Sequence, residues 1–203
     1  YVKEGEIRNA VNVPAAPREV LNTLGPWLVL AEKVGALAGQ LCEERASRVT
    51  IEIAGELSEH PVRPITAQVL KGMLRFFTQD PVNEVSAPAL ARERGIAISE
   101  VKKGESPDYS STIGVRLEGK NAPLTVVGTL LGKHEPRIVR VDDFVIDAAP
   151  SGNLLVLRND DVPKIVGLVG MVLGENGINI AQIHLSRVAP RGQVARVDAP
   201  DHA

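Results

Sequence analysis

Strict alternation of apolar and polar residues is the feature that most narrows what this chain can fold into. Between Arg48 and Leu57, Val49, Ile51 and Ile53 fall on one side while Thr50 and Glu52 fall on the other, and Ile113, Val115 and Leu117 repeat the pattern. Side chains alternate across a strand, so such a segment buries one face and turns the other outward. Strands buried on both faces read instead as unbroken apolar runs. The alternation therefore predicts an α+β layout: a mostly antiparallel sheet with helices on its apolar face.

The helices follow from a different period. Trp27, Leu30, Ala31, Val34, Leu37, Ala38 and Leu41 recur at three- and four-residue steps, predicting an amphipathic helix from Pro26 to about Arg45. Gly35 and Gly39 lie four apart on it, a spacing that permits close helix packing and also arises by chance. Pro64 opens a second helix with Val69, Leu70, Met73, Leu74 and Phe77 as its apolar set. Ser86 is placed as the cap of a shorter helix that Gly95 ends. Ile96 to Lys102 reads as a strand with Ile96, Ile98 and Val101 inward. A polar loop from Gly104 to Ser111, a turn at Gly119-Lys120-Asn121 and a strand from Leu124 to Leu131 come next. A hairpin then forms in which Arg137 to Val141 and Phe144 to Ile146 flank Asp142-Asp143.

Ala149-Pro150-Ser151-Gly152 marks a boundary. Beyond it, Leu154 to Arg187 reads as strand, helix, strand. Leu154, Leu155, Val156 and Leu157 form a short apolar run, and Asn159, Asp160 and Asp161 stop it just before Pro163. Ile165, Leu168, Val169, Val172 and Leu173 mark one helix face, Gly177 supplies the left-handed residue that ends it, and Ile178 to Leu185 resumes as strand.

Composition narrows the function classes. The 203 residues carry a net charge of −2 and only 3% aromatic residues. Nucleic-acid binding usually needs a basic face and stacking rings, so none is expected. No apolar run approaches the roughly 20 residues that span a bilayer, so no membrane role is expected either. The single Cys42 excludes an internal disulfide or a cysteine cluster and fits a reducing cytoplasm. His60, His134, His184 and His202 are scattered without ligand spacing, so no metal site is expected.

Two resemblances sharpen this reading. The acidic turn and Pro, the Ile165-to-Leu173 helix and G-I-N-I (Gly177 to Ile180) resemble an ACT domain, the amino-acid-sensing module of metabolic enzymes. Earlier phrases resemble the C-terminal half of long-type D-3-phosphoglycerate dehydrogenase. They are G-E-I-R-N-A-V-N-V-P (Gly5 to Pro14), L-A-E-K-V-G-A-L-A-G-Q-L (Leu30 to Leu41), I-A-G-E-L (Ile53 to Leu57), V-N-E-V-S-A-P-A-L-A-R-E-R-G-I (Val82 to Ile96), V-V-G-T-L-L-G (Val126 to Gly132) and P-R-I-V (Pro136 to Val139). The resemblance implies three parts. Residues 1–16 are the exit segment of a missing catalytic and substrate-binding domain, 17–150 an intervening domain, and 151–203 an incomplete ferredoxin-like ACT domain. It also implies a parent reaction, oxidation of 3-phospho-D-glycerate by NAD at the entry to L-serine synthesis.

The catalytic chemistry is expected outside this chain. A nicotinamide site needs a Gly-rich strand-to-helix turn for the pyrophosphate, and no G-x-G-x-x-G occurs in the sequence. Catalytic, cofactor-binding and metal residues are accordingly assigned to none of these positions, and NAD belongs to the parent enzyme.

For regulation, the resemblance implies an effector site, with L-serine as the effector, at Asp161 and Asn179. A carboxylate there pairs with the ligand ammonium and an amide both donates and accepts; the structural alternative is a helix cap and a strand edge. Lys164 stands where the family usually has Gly, and either crowds the ligand or meets its carboxylate. An ACT domain should continue past Arg187 with a strand, a second helix and a fourth strand. Here only Val194, Ala195 and Val197 suggest a third strand, so the end reads as truncated or frame-shifted. A basic group, Lys133, His134 and Arg137, with Arg116 and Arg140 nearby, is an anion-site candidate against the alternative of a solvated edge. A homo-oligomer is expected from the apolar helix faces. Two other readings compete: the regulatory part of an iron–sulfur L-serine dehydratase, and a stand-alone amino-acid-binding protein.

Overall fold

The computed structural model describes residues 18–78, 81–132, 134–159 and 162–186. The alternating segments form one six-stranded sheet, with helices packed on its apolar face. The strands are β1 (Arg48–Gly55), β2 (Ala97–Lys103), β3 (Ser111–Glu118), β4 (Leu124–Leu131), β5 (Glu135–Val141) and β6 (Phe144–Ala148). Their spatial order is β2-β1-β3-β4-β5-β6. The β1–β2 pair is parallel and the other four are antiparallel. In register, Ile53 faces Ile113, Ile51 faces Val115 and Val49 faces Leu117, which brings the two alternating sets onto one face.

Helix α1 (Arg18–Leu41) packs on that face against β3, β4 and β5, and α2 (Arg63–Leu74) packs against α1. Leu30, Val34, Ile65, Leu70 and Met73 join Ile51, Ile53 and Ile113 in one core. A third, short helix, α3 (Ala87–Glu93), touches α2 and β2. The two principal helices meet backbone to backbone. A Cβ built on Gly35 would lie 2.1 Å from the Val69 carbonyl oxygen, and one on Gly72 would lie 2.1 Å from that of Glu32. Gly39 would come to 2.7 Å from Met73 O, so the spacing noted in the sequence is a packing requirement.

Several boundaries depart from expectation. Helix α1 runs through Pro26 instead of beginning there. Leu24, fully buried, anchors the preceding turn in the core and offsets the hydrogen bond that Pro26 cannot make. The helix ends at Leu41, short of Arg45. Strand β1 ends at Gly55 (φ +77), and Glu56–Glu59 form a 3-10 turn that buries Leu57. Ser86 has helical dihedrals and makes no cap bond. Asn83 takes that role, its side-chain oxygen accepting the Val85 and Ser86 N–H groups at 3.0 and 2.8 Å.

After the hairpin, α4 (Ile165–Glu175) forms where the period placed it. Gly177 (φ +70) ends it, with Gly177 N–H donating to Gly174 O and Ile178 N–H to Leu173 O. The flanking runs Leu154–Leu157 and Ile178–Leu185, expected as strands, form no ladder among the described residues. A strand exists only with a neighbour to bond, and among the described residues neither run has one. Their apolar side chains are exposed, as are Leu168, Met171 and Val172 of α4. The third-strand residues Val194, Ala195 and Val197 lie outside the described residues.

Candidate functional site

Of the effector positions, Lys164 and Asn179 lie near the two ends of α4. Lys164 stands at its N-cap in the left-handed conformation, φ +79, where a β-carbon is disfavoured by about 1–2 kcal/mol. The backbone here has a glycine-like geometry although the side chain is lysine. The Lys164 carbonyl accepts the Leu168 N–H at 2.9 Å, so the residue still starts the helix. Asn179, just past Gly177, is exposed. Asp161 lies outside the described residues.

In the basic group, two of the arginines are already engaged. The Arg137 guanidinium faces Glu135 at 3.2 Å and Asp147 at 3.5 Å, and only a quarter of its side chain is exposed. An anion arriving there would compete with two carboxylates. Arg116 pairs with Glu118 at 3.0 Å, Arg140 and His134 are exposed, and Lys133 lies outside the described residues.

A cleft of about 370 Å³ is lined by Cys42, Glu43, Glu44, Arg45, Phe77, Arg94 and Ile96 among others. Its arginines serve helix ends. Arg94 Nη1 donates to Phe77 O at 2.6 Å, beyond the end of α2, and Arg45 Nη2 donates to Arg94 O at the end of α3. The Cys42 thiol donates to Glu44 O at 2.9 Å. With donors turned to carbonyls and two glutamates in the lining, the cleft is a packing feature of the helix termini.

The described residues do not suit a dinucleotide. The one place where a strand leads through glycine into a helical turn is Gly55, after β1. A Cβ there would sit 2.0 Å from Ser110 O, so the space beside Gly55 is filled by the chain itself. Glu56 and Glu59 lie in the turn that follows, where they would repel a pyrophosphate. Among the described residues there is also no group of three His, Cys, Asp or Glu placed to hold a metal ion, and no helix long and apolar enough to cross a membrane.

One contact was not legible in the sequence. The Asp142 carboxylate lies in the β5–β6 turn at φ +51 and works on both of its oxygens. Oδ1 accepts the Thr125 N–H at 2.7 Å, and Oδ2 accepts from Arg158 Nη2 at 2.5 Å. Arg158 sits between the apolar run and the acidic turn, so the pair ties that segment to the sheet. Periodicity marked Asp142 only as a turn residue and carried no signal for Arg158.

Comparison with known proteins matches residues 23–142 to the D-3-phosphoglycerate dehydrogenase intervening domain. The chain is 36% identical over 186 residues to D-3-phosphoglycerate dehydrogenase of Synechocystis sp., covering 91% of this chain and 34% of that protein. It is 32% identical over 193 residues to the Bacillus subtilis enzyme of that name, covering 95% and 37%. The Methanocaldococcus jannaschii protein is 32% identical over 202 residues, covering 99% and 38%. The chain thus spans about a third of the length of these relatives, and the similarity continues past the hairpin into the residues after 151.

Proposed function

The chain belongs to the D-3-phosphoglycerate dehydrogenase intervening-domain family, and from that premise we propose that it is the regulatory and oligomerising C-terminal part of such an enzyme. The parent reaction would be NAD-dependent oxidation of 3-phospho-D-glycerate, the first step of L-serine biosynthesis, carried out by residues outside this chain. The observation that carries the reading is similarity over almost the whole chain to about a third of each relative.

On this reading residues 17–150 form the intervening domain and 151–203 an ACT-type segment whose effector is L-serine. Asp161 and Asn179 would contact the ligand, with Lys164 beside them. The exposed apolar faces of α4 and its flanks would be covered in a homo-oligomer, since contiguous apolar surface of this kind is usually buried by a partner. Lys133, His134 and Arg137 would at most form a secondary anion site.

The test is a pair of full-length enzymes, one intact and one ending before residue 17. The intact enzyme should oxidise 3-phosphoglycerate with NAD and be inhibited by L-serine, and the shortened one should keep turnover and lose inhibition. Inhibition surviving the deletion would overturn the regulatory reading. Light scattering of the 203-residue chain should give a dimer or larger.

A further inference from the structure

The paired use of the Asp142 carboxylate has a consequence beyond holding a turn. One oxygen closes the β5–β6 turn onto the start of β4 through the Thr125 N–H, while Asp142 N–H returns a bond to Thr125 O at 2.7 Å. The other oxygen holds Arg158, which directly precedes Asn159-Asp160-Asp161 in the chain. Three-quarters of the Asp142 side chain is shielded, whereas the Arg158 side chain is 64% exposed. The aspartate is therefore the fixed partner and the arginine the one free to leave.

We infer that the Asp142–Arg158 ion pair is a latch through which the state of the segment after residue 151 is transmitted to the sheet at Thr125. A change in the segment after residue 151 that draws Arg158 away removes a cation from Oδ2. The carboxylate then rotates or resolvates, and the Thr125 amide, bonded to Oδ1 of the same group, reports it. An exposed pair is weak, so the latch is poised near balance and a modest ligand energy suffices to open it. This deepens the proposed sensing role and rests on it for the identity of the trigger, but the latch itself is testable without a ligand.

The experiment is amide NMR and hydrogen exchange on the full 203-residue chain, comparing wild type, Arg158→Gln and Arg158→Lys. Gln should shift the Thr125 and Asp142 amide resonances and speed exchange at Thr125 by about two- to fivefold, the factor an exposed ion pair supports. Lys, which keeps the charge, should leave Thr125 near wild type. Saturating L-serine added to wild type should move the Thr125 resonance in the direction that Gln does. Shifts near Asn179 without any at Thr125 would overturn the latch and leave sensing intact. If serine moves nothing, the sensing reading falls and the Arg158→Gln arm alone decides; an unchanged Thr125 amide in that variant refutes the latch.

Discussion

Replacing Gly35 with Ala tests the argument that the fold rests on backbone contact between α1 and α2. The new Cβ would lie 2.1 Å from Val69 O and 2.9 Å from the Val69 carbonyl carbon. Ordinary contact begins near 3.4 Å, so the shortfall is about 1.3 Å (3.4 less 2.1). A flexible side chain could swing aside, but a helix carbonyl cannot, so the helices must part. Parting them loosens the packing of Val69, Leu70 and Met73, all fully buried, and stretches the Lys71–Glu32 ion pair, now 3.0 Å. Overpacking of this kind costs about 1–3 kcal/mol, and the backbone obstacle places this site at the upper end. Alanine returns about 1 kcal/mol through its higher helix propensity. The net expectation is a loss of about 2 kcal/mol, or a fall in Tm of about 4–8 °C for a chain of this size. Thermal and urea unfolding followed by circular dichroism measure it. The control is Gly170→Ala in α4, where a Cβ meets nothing within 4 Å, and it should not destabilise. A Gly35→Ala protein that melts at or above the wild-type temperature would refute the close-contact argument.

Three further outcomes follow from named contacts. Ser111→Ala removes the Oγ that accepts the buried Leu57 N–H at 3.0 Å, and an orphaned buried donor costs about 1–3 kcal/mol; a lower urea midpoint and faster Leu57 amide exchange should appear together. Asn83→Ala should destabilise by about 1 kcal/mol, as loss of a cap does, and by more than Ser86→Ala, in equilibrium unfolding of the two variants. Lys164→Gly relieves a left-handed residue and should strengthen the start of α4 by about 1 kcal/mol, read as slower exchange of the Leu168 amide.

Legibility in the sequence followed the range of the interactions. β1 and β3 were readable because alternation is a property of neighbouring residues, and β4 runs from Leu124 to Leu131 as expected. The α1 stripe was readable for the same reason, although its start was not: Pro26 argued locally for a beginning, and the burial of Leu24 decided otherwise. Ser86 had the right chemistry for a cap, but the Asx turn at Asn83 had already satisfied the free N–H groups. The apolar runs flanking α4 have strand composition, yet a strand exists only with a neighbour to bond. In the basic group, like charge along the chain suggested an anion site, while Glu135 on the same strand and Asp147 across the hairpin occupy Arg137.

By itself the sequence determined the α+β class, the apolar face of the sheet, the apolar stripe of α1, the positions of α2 and α4, and the family resemblance that similarity to known enzymes then supported. These rest on periodicity and local residue chemistry, which a linear string carries. Only the tertiary structure decided that Gly35, Gly39 and Gly72 are contact points, that Gly55 is filled by Ser110, and that Asp142 joins Thr125 to Arg158. Each of these depends on which distant backbone or charge arrives at a residue, and chain closure in three dimensions sets that, not the pattern of its neighbours.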